Sequence, residues 1–169
     1  MVDTNPEVGD PVSADFLAYL TRPPIVRLIQ VTAQSIPNAS STALTFDSGS
    51  EDIDTHNFHD VVTNNSRVTP TSDWAGYYEV TVTYAASANT ATQLYAVVAK
   101  NGVVVQPLTR QTPAATSVAK SVNAIAIVSL NGTGDYVEGW ANQNSGGALN
   151  TQVGGSINSV LEVKFLRPL

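Results

Sequence analysis

The chain has 169 residues, 43% of them hydrophobic, and carries eight Lys and Arg against fourteen Asp and Glu, a formal net charge of −6. That length and apolar content suffice for one domain with a full core and a short appendage, while the acidic balance, with no basic cluster, argues against direct nucleic-acid binding. The lack of any cysteine excludes a disulfide framework, a thiolate nucleophile and a Cys-ligated zinc.

Residues 1–24 read as an arm. "MVDTNPEVGDP" is acidic and turn-rich, with neither the basic start nor the apolar run of a secretory leader, and no stretch of the chain approaches the ~18 apolar residues of a membrane span. "VSADFLAYLTRPP" then gathers Phe16, Leu17, Tyr19 and Leu20, with Ser13 as a helix N-cap and Pro23 and Pro24 as a stop. One or two helical turns are marginal alone in water. The four apolar residues are therefore the expected docking surface of the arm, either under its own domain or onto a partner.

From Ile25 to the end the period is two. "IVRLIQVTAQ" and "TALTF" supply two strands. In "GYYEVTVTYAA", Tyr78, Val80, Val82 and Tyr84 share one face, and Tyr77, Glu79, Thr81 and Thr83 the other, as in a half-buried strand. "QLYAVVAKNGVVVQP" is a hairpin turning at Asn101-Gly102, where both residues tolerate positive φ. "SVAKSVNAIAIVSL" reads as a long strand buried on much of both faces, "NGTGD" as a turn, "DYVEGWANQ" as the return, and "SVLEVKFL" as a closing strand with Leu161, Val163 and Phe165 inward. Short strands with turn signals between them make an all-β antiparallel sandwich, specifically a jelly roll, over 25–169. Only 13% of residues are charged, so Ser, Thr, Asn and Gln are left to make the polar surface. In that composition the sequons at Asn38, Asn64 and Asn131 read as chance.

"EDIDTHNFHD", residues 51–60, raises the question of a metal. Asp52, Asp54, His56 and His59 are the weak candidate ligands, the carboxylates suiting calcium and the two His a transition metal. The spacing fits neither an EF-hand nor HExxH. The plainer expectation is a long loop anchored by Ile53 and Phe58 with solvated acids, and no cofactor or metal. Catalysis has no GxSxG elbow to rest on, Asp135 and Glu138 sit at a strand turn rather than flanking a cleft, and "NGTGD" lacks the lysine of a phosphate loop. The expectation is a protein that is not an enzyme. Trp140, Asn142, Gln143 and Asn144, with Trp74 and Tyr136 as further aromatics, are the candidate glycan-binding residues, aromatic faces stacking on sugar rings and amides meeting hydroxyls.

The run "FHD" at 58–60, "SRVTP" at 66–70, "AGYYEVTV" at 75–82, "AKNGVVV" at 99–105, "LNGTGDYVEG" at 130–139 and "LEVKFL" at 161–166 resembles the tumour necrosis factor-like jelly roll, within it the globular head of complement's collagen-containing recognition protein. The resemblance implies a compact homotrimer. "EDIDTHNFHD" and "GGALNT" are further similar to virion proteins of tailed phages of actinobacteria, which implies a structural protein at the virion surface. The expected partners are then the phage major capsid protein or another virion protein, met through the arm of a capsid decoration protein. The alternative is a tail or fibre adhesin for a host-surface glycan.

Overall fold

The computed structural model describes residues 17, 21–89, 93–105, 109–111, 118–155 and 157–169. Thirteen strands appear among them: β1 (Ile25–Ile29), β2 (Ser35–Ile36), β3 (Thr42–Ala43), β4 (Glu51–Asp54), β5 (Arg67–Val68), β6 (Gly76–Asn89), β7 (Leu94–Lys100), β8 (Val103–Val104), β9 (Thr109–Gln111), β10 (Val118–Leu130), β11 (Val137–Gln143), β12 (Leu149–Asn150) and β13 (Val160–Pro168). The first sheet runs β10-β6-β13-β1-β4. The second runs β3-β11-β7-β8, with β5 on β11 and β9 on β7, and β12 pairs β2 separately. Every pairing between these strands is antiparallel. The domain is an all-β jelly-roll sandwich.

Alternation explains the long strands. Tyr78, Val80, Val82 and Tyr84 of β6 are fully buried, as are Leu161 and, within 1%, Val163 of β13 beside them. They close on Leu94, Ala96 and Val98 of β7 and Val137 and Ala141 of β11 in one core. Gly139 sits where a Cβ would lie 3.0 Å from Val82 Cγ1, so its missing side chain sets how closely the two sheets approach. At the other end of β6, Trp74 closes a 3-10 turn over Ser72–Trp74 and stacks edge-on against Phe165, which does the same to Tyr78. The β7–β8 hairpin turns at Asn101 (φ 53°) and Gly102 (φ 75°), as the Asn-Gly pair requires.

Three expectations need correction. Residues 51–54 are an edge strand on β1 rather than loop, and Ile53 is 40% exposed, so Phe58 alone anchors this stretch. "TALTF" contributes only the two-residue β3. Lastly, β10 is buried on one face, not both: Val122, Ala124, Ala126 and Val128 point inward, while Ile125 and Ile127 are 61% and 60% exposed. Small alanines fill the crowded interior opposite β7, and the larger isoleucines are turned out.

Candidate functional site

The stretch 51–60 is held together by its own polar groups. Arg27 Nη1 donates to Asp52 Oδ2 at 2.9 Å across the strand pair. Asp54 accepts from the backbone N–H of His56 (3.2 Å) and of His59 (2.9 Å), bending the chain after β4. His56 meets Thr55 Oγ1 through Nδ1 at 2.8 Å and lies edge-on to Trp74. The His59 ring is closed off from solvent, with Nδ1 2.9 Å from Glu51 Oε1 and Nε2 3.1 Å from the Asn65 carbonyl oxygen. Asp52, Asp54, His56 and His59 thus each have a separate local partner, and among the described residues no three His, Asp or Glu side chains gather as a metal-ligand set.

The glycan candidates lie on and beyond β11, whose side chains alternate between the core and the outer face of the second sheet. Gln143 points inward and is fully buried. Its amide donates to the carbonyls of Ile36 (3.0 Å) and Gly147 (2.8 Å), and its oxygen accepts from Ser145 N–H, so it pins the loop 144–148 and has nothing left to offer a sugar. Asn142 Nδ2 donates to Ser41 Oγ (3.2 Å), and Asn144 Oδ1 accepts from the Gln93 N–H (2.8 Å). Trp140 faces out, half-buried over the strand positions of Val97 and Ala43.

What orients Trp140 is Glu138, which sequence reading treated only as a strand terminus. Its carboxylate is 5% exposed and accepts from Trp140 Nε1 (3.1 Å), Ser66 Oγ (2.8 Å) and Arg67 Nε (3.3 Å). A buried carboxylate survives because it is paired and hydrogen-bonded. Arg67 in turn lies with Cζ 4.0 Å above the Tyr136 ring. Trp140, Glu138, Arg67 and Tyr136 therefore form one continuous surface on the outer face. Trp74 belongs elsewhere, in the aromatic stack with His56 and Phe165.

A second surface follows from β10. This strand has no described partner on its outer edge, and it packs over β7 and β9 of the other sheet. Ile125 and Ile127 of this edge strand are exposed, and so are Val103 (68%) and Val104 (44%) of β8. Of the arm, Leu17 is 49% exposed and its carbonyl accepts from Thr21 Oγ1 at 2.7 Å, as in a helical turn. Phe16, Tyr19 and Leu20 lie outside the described residues.

No protein-family model and no curated protein matches the chain. Solved structures do. Murine APRIL at pH 5.0 superposes with a TM-score of 0.62 at 11% identity, covering 86% of this chain and 100% of that one. The Eiger TNF of S. frugiperda gives 0.54 at 11% identity, covering 88% and 96%. The PRD1 vertex protein P5 gives 0.59 at 13% identity, covering 85% and 97%. At such identities the likeness is one of fold, and the fold is the tumour necrosis factor-like jelly roll.

Proposed function

We propose that the protein is a non-enzymatic structural component of a phage virion, a homotrimer that decorates the capsid surface and is attached by its N-terminal arm, residues 1–24. The observation that carries the reading is the apolar edge of the sandwich. Ile125 and Ile127, two positions apart on the same face of the edge strand β10, are both large exposed apolar side chains, and such a pair suits a contact surface. An edge that packs on a different surface of the next copy makes a head-to-tail contact, which closes into a ring at the right rotation. The trimer implied by the sequence resemblance is such a ring. The fold shared with a protein named as a vertex component of PRD1 supports the virion setting. Three weak arms on one trimer would attach far more firmly than one.

Sedimentation of the purified chain tests the assembly. A trimer is expected, and Ile125→Asp with Ile127→Asp is expected to give a folded monomer; a wild-type monomer would sink the reading. The arm is tested separately: a chain lacking residues 1–24 should remain a trimer yet fail to join particles, and normal incorporation would remove the arm from the proposal.

A second reading, a tail or fibre adhesin for a host-surface glycan, draws support from the Trp140 surface, where a buried Glu138 fixes the indole edge and leaves the ring outward. Copy number separates the two: hundreds of copies over the shell favour decoration, a few at the tail favour adhesion. Loss of glycan-array binding in Trp140→Ala would support the adhesin, and a silent array would count against it.

A further inference from the structure

Beside Arg67, the loop 57–64 and the start of the chain after β5 line an open cavity of about 260 Å³. Asn57, Asp60, Thr63, Asn64, Arg67 and Thr69 line it, with the buried Phe58 and His59 reaching it only marginally. The volume is below the roughly 300–1,000 Å³ of sites for drug-sized ligands, so one small ring is what it admits.

The lining is unusual in how little of it is used by the fold. The side chains of Asn57, Thr63, Asn64 and Thr69 make no hydrogen bond among the described residues, and Arg67 bonds only through Nε, leaving its terminal nitrogens open. The guanidinium is nevertheless fixed, between Glu138 and the Tyr136 ring. Asn57 (φ 54°) and Asn64 (φ 57°) hold left-handed backbone, a conformation that Asn tolerates better than most residues. Asp60 sets the loop by accepting from the N–H groups of Val62 (2.8 Å) and Thr63 (2.9 Å) through Oδ1. Those two bonds, with Thr63 the stronger influence, hold its carboxyl below the usual carboxylate range, so it is ionised.

Charge and donor chemistry then narrow the ligand. One guanidinium and one carboxylate balance, so the cavity favours neither an anion nor a cation. Two amides, two hydroxyls, a carboxylate and a guanidinium offer paired donors and acceptors, which suit neighbouring hydroxyls on a ring. We infer that this cavity binds a single neutral sugar ring, forming a subsite next to the Trp140 surface; the inference rests on the glycan reading above.

The test uses saturation-transfer NMR on the full-length protein with glucose, galactose, mannose, rhamnose and arabinose, each in excess. Transfer to at least one sugar is expected. Asn57→Gly with Asn64→Gly keeps the left-handed backbone while removing both amides, and should weaken that sugar about tenfold; Thr69→Val, a near-isosteric loss of one hydroxyl, should weaken it about fivefold. Should the double variant fold poorly, Thr69→Val decides. Trp140→Ala should leave the single ring bound. Sugar binding lost in Trp140→Ala but untouched by the cavity variants overturns the cavity while keeping the Trp140 reading. Silence from all five sugars also overturns the cavity, and array binding through Trp140 would then still stand on its own.

Discussion

Two loops of this protein are built from the same residue types and behave in opposite ways. In residues 131–135, Asn-Gly-Thr-Gly-Asp, most polar groups are used. Asn131 Oδ1 accepts from Thr133 N–H (2.9 Å) and Asp135 N–H (3.2 Å), and Asp135 accepts from Asn131 N–H, from Asn101 Nδ2 (2.7 Å) and from Lys100 Nζ (2.8 Å). Lys100 also reaches the Ser129 carbonyl at 2.6 Å. The loop is a knot that ties the β7–β8 hairpin to the β10–β11 turn. In residues 57–64 the backbone is tied too, by Asp60 to Val62 and Thr63, by Asp54 to His59, and through Phe58 and Asn64 to Thr69 and Arg67. The side chains of Asn57, Thr63 and Asn64, however, line an open cavity and bond to no described residue. Composition does not separate a knot from a binding surface. The difference lies in whether complementary groups arrive from elsewhere in the chain.

The comparison breaks most visibly at Gly132. Its φ is 68°, and a Cβ there would overlap the Thr71 carbonyl oxygen and lie 2.7 Å from Ser72 Cα. Gly132→Val should cost about 3 kcal/mol, from backbone strain and a steric clash together. Urea unfolding with an unchanged m-value would measure it. A loss below about 1 kcal/mol would mean that the knot yields easily and that its bonds are incidental to the fold.

The knot also has a pH signature. The Lys100 ammonium, then the Asn101 amide, hold the Asp135 carboxyl below its ordinary value. A carboxyl lowered in the folded state contributes stability that is complete above the unfolded value, near 3.9, and is lost as pH falls through the folded value. Asp135→Asn should therefore cost about 1 kcal/mol at pH 7, discounted for partial exposure. The gap between variant and wild type should close in acid. A gap that persists unchanged below pH 3 would show that the charge of Asp135 is not what the knot uses.

How much of this was legible in the sequence follows the range of the interactions. The faces of β6 and β13 could be read because apolar and polar residues alternate along them, and the Asn101-Gly102 hairpin because positive φ is a local demand. The outward face of β10 could not: in "NAIAIV" both rows are apolar, and only the crowding opposite β7 decides that alanine goes in and isoleucine out. The core of the candidate site was hidden for a different reason. Ser66 and Glu138 are 72 residues apart, and Asn101 and Asp135 are 34 apart, so neither the buried carboxylate that fixes Trp140 nor the knot has a local signature. Arg67, read only as part of a strand motif, gains its role from Glu138 and Tyr136, which arrive from the far half of the chain.

The smallest expected effect sharpens the contrast from the other side. Asn57 and Asn64 hold left-handed backbone that glycine adopts without steric cost, and their side chains bond to none of the described residues. Asn57→Gly with Asn64→Gly should shift stability by no more than about 0.5 kcal/mol, as for exposed positions without special contacts. Unfolding in urea beside Asp135→Asn at pH 7 is the comparison to make. Near-neutrality in the double variant, against a clear loss at Asp135, would mean that the polar groups of 57–64 are kept free of structural duty. A loss as large as that at Asp135 would make this loop a second knot and remove the reason to look for a ligand in its cavity.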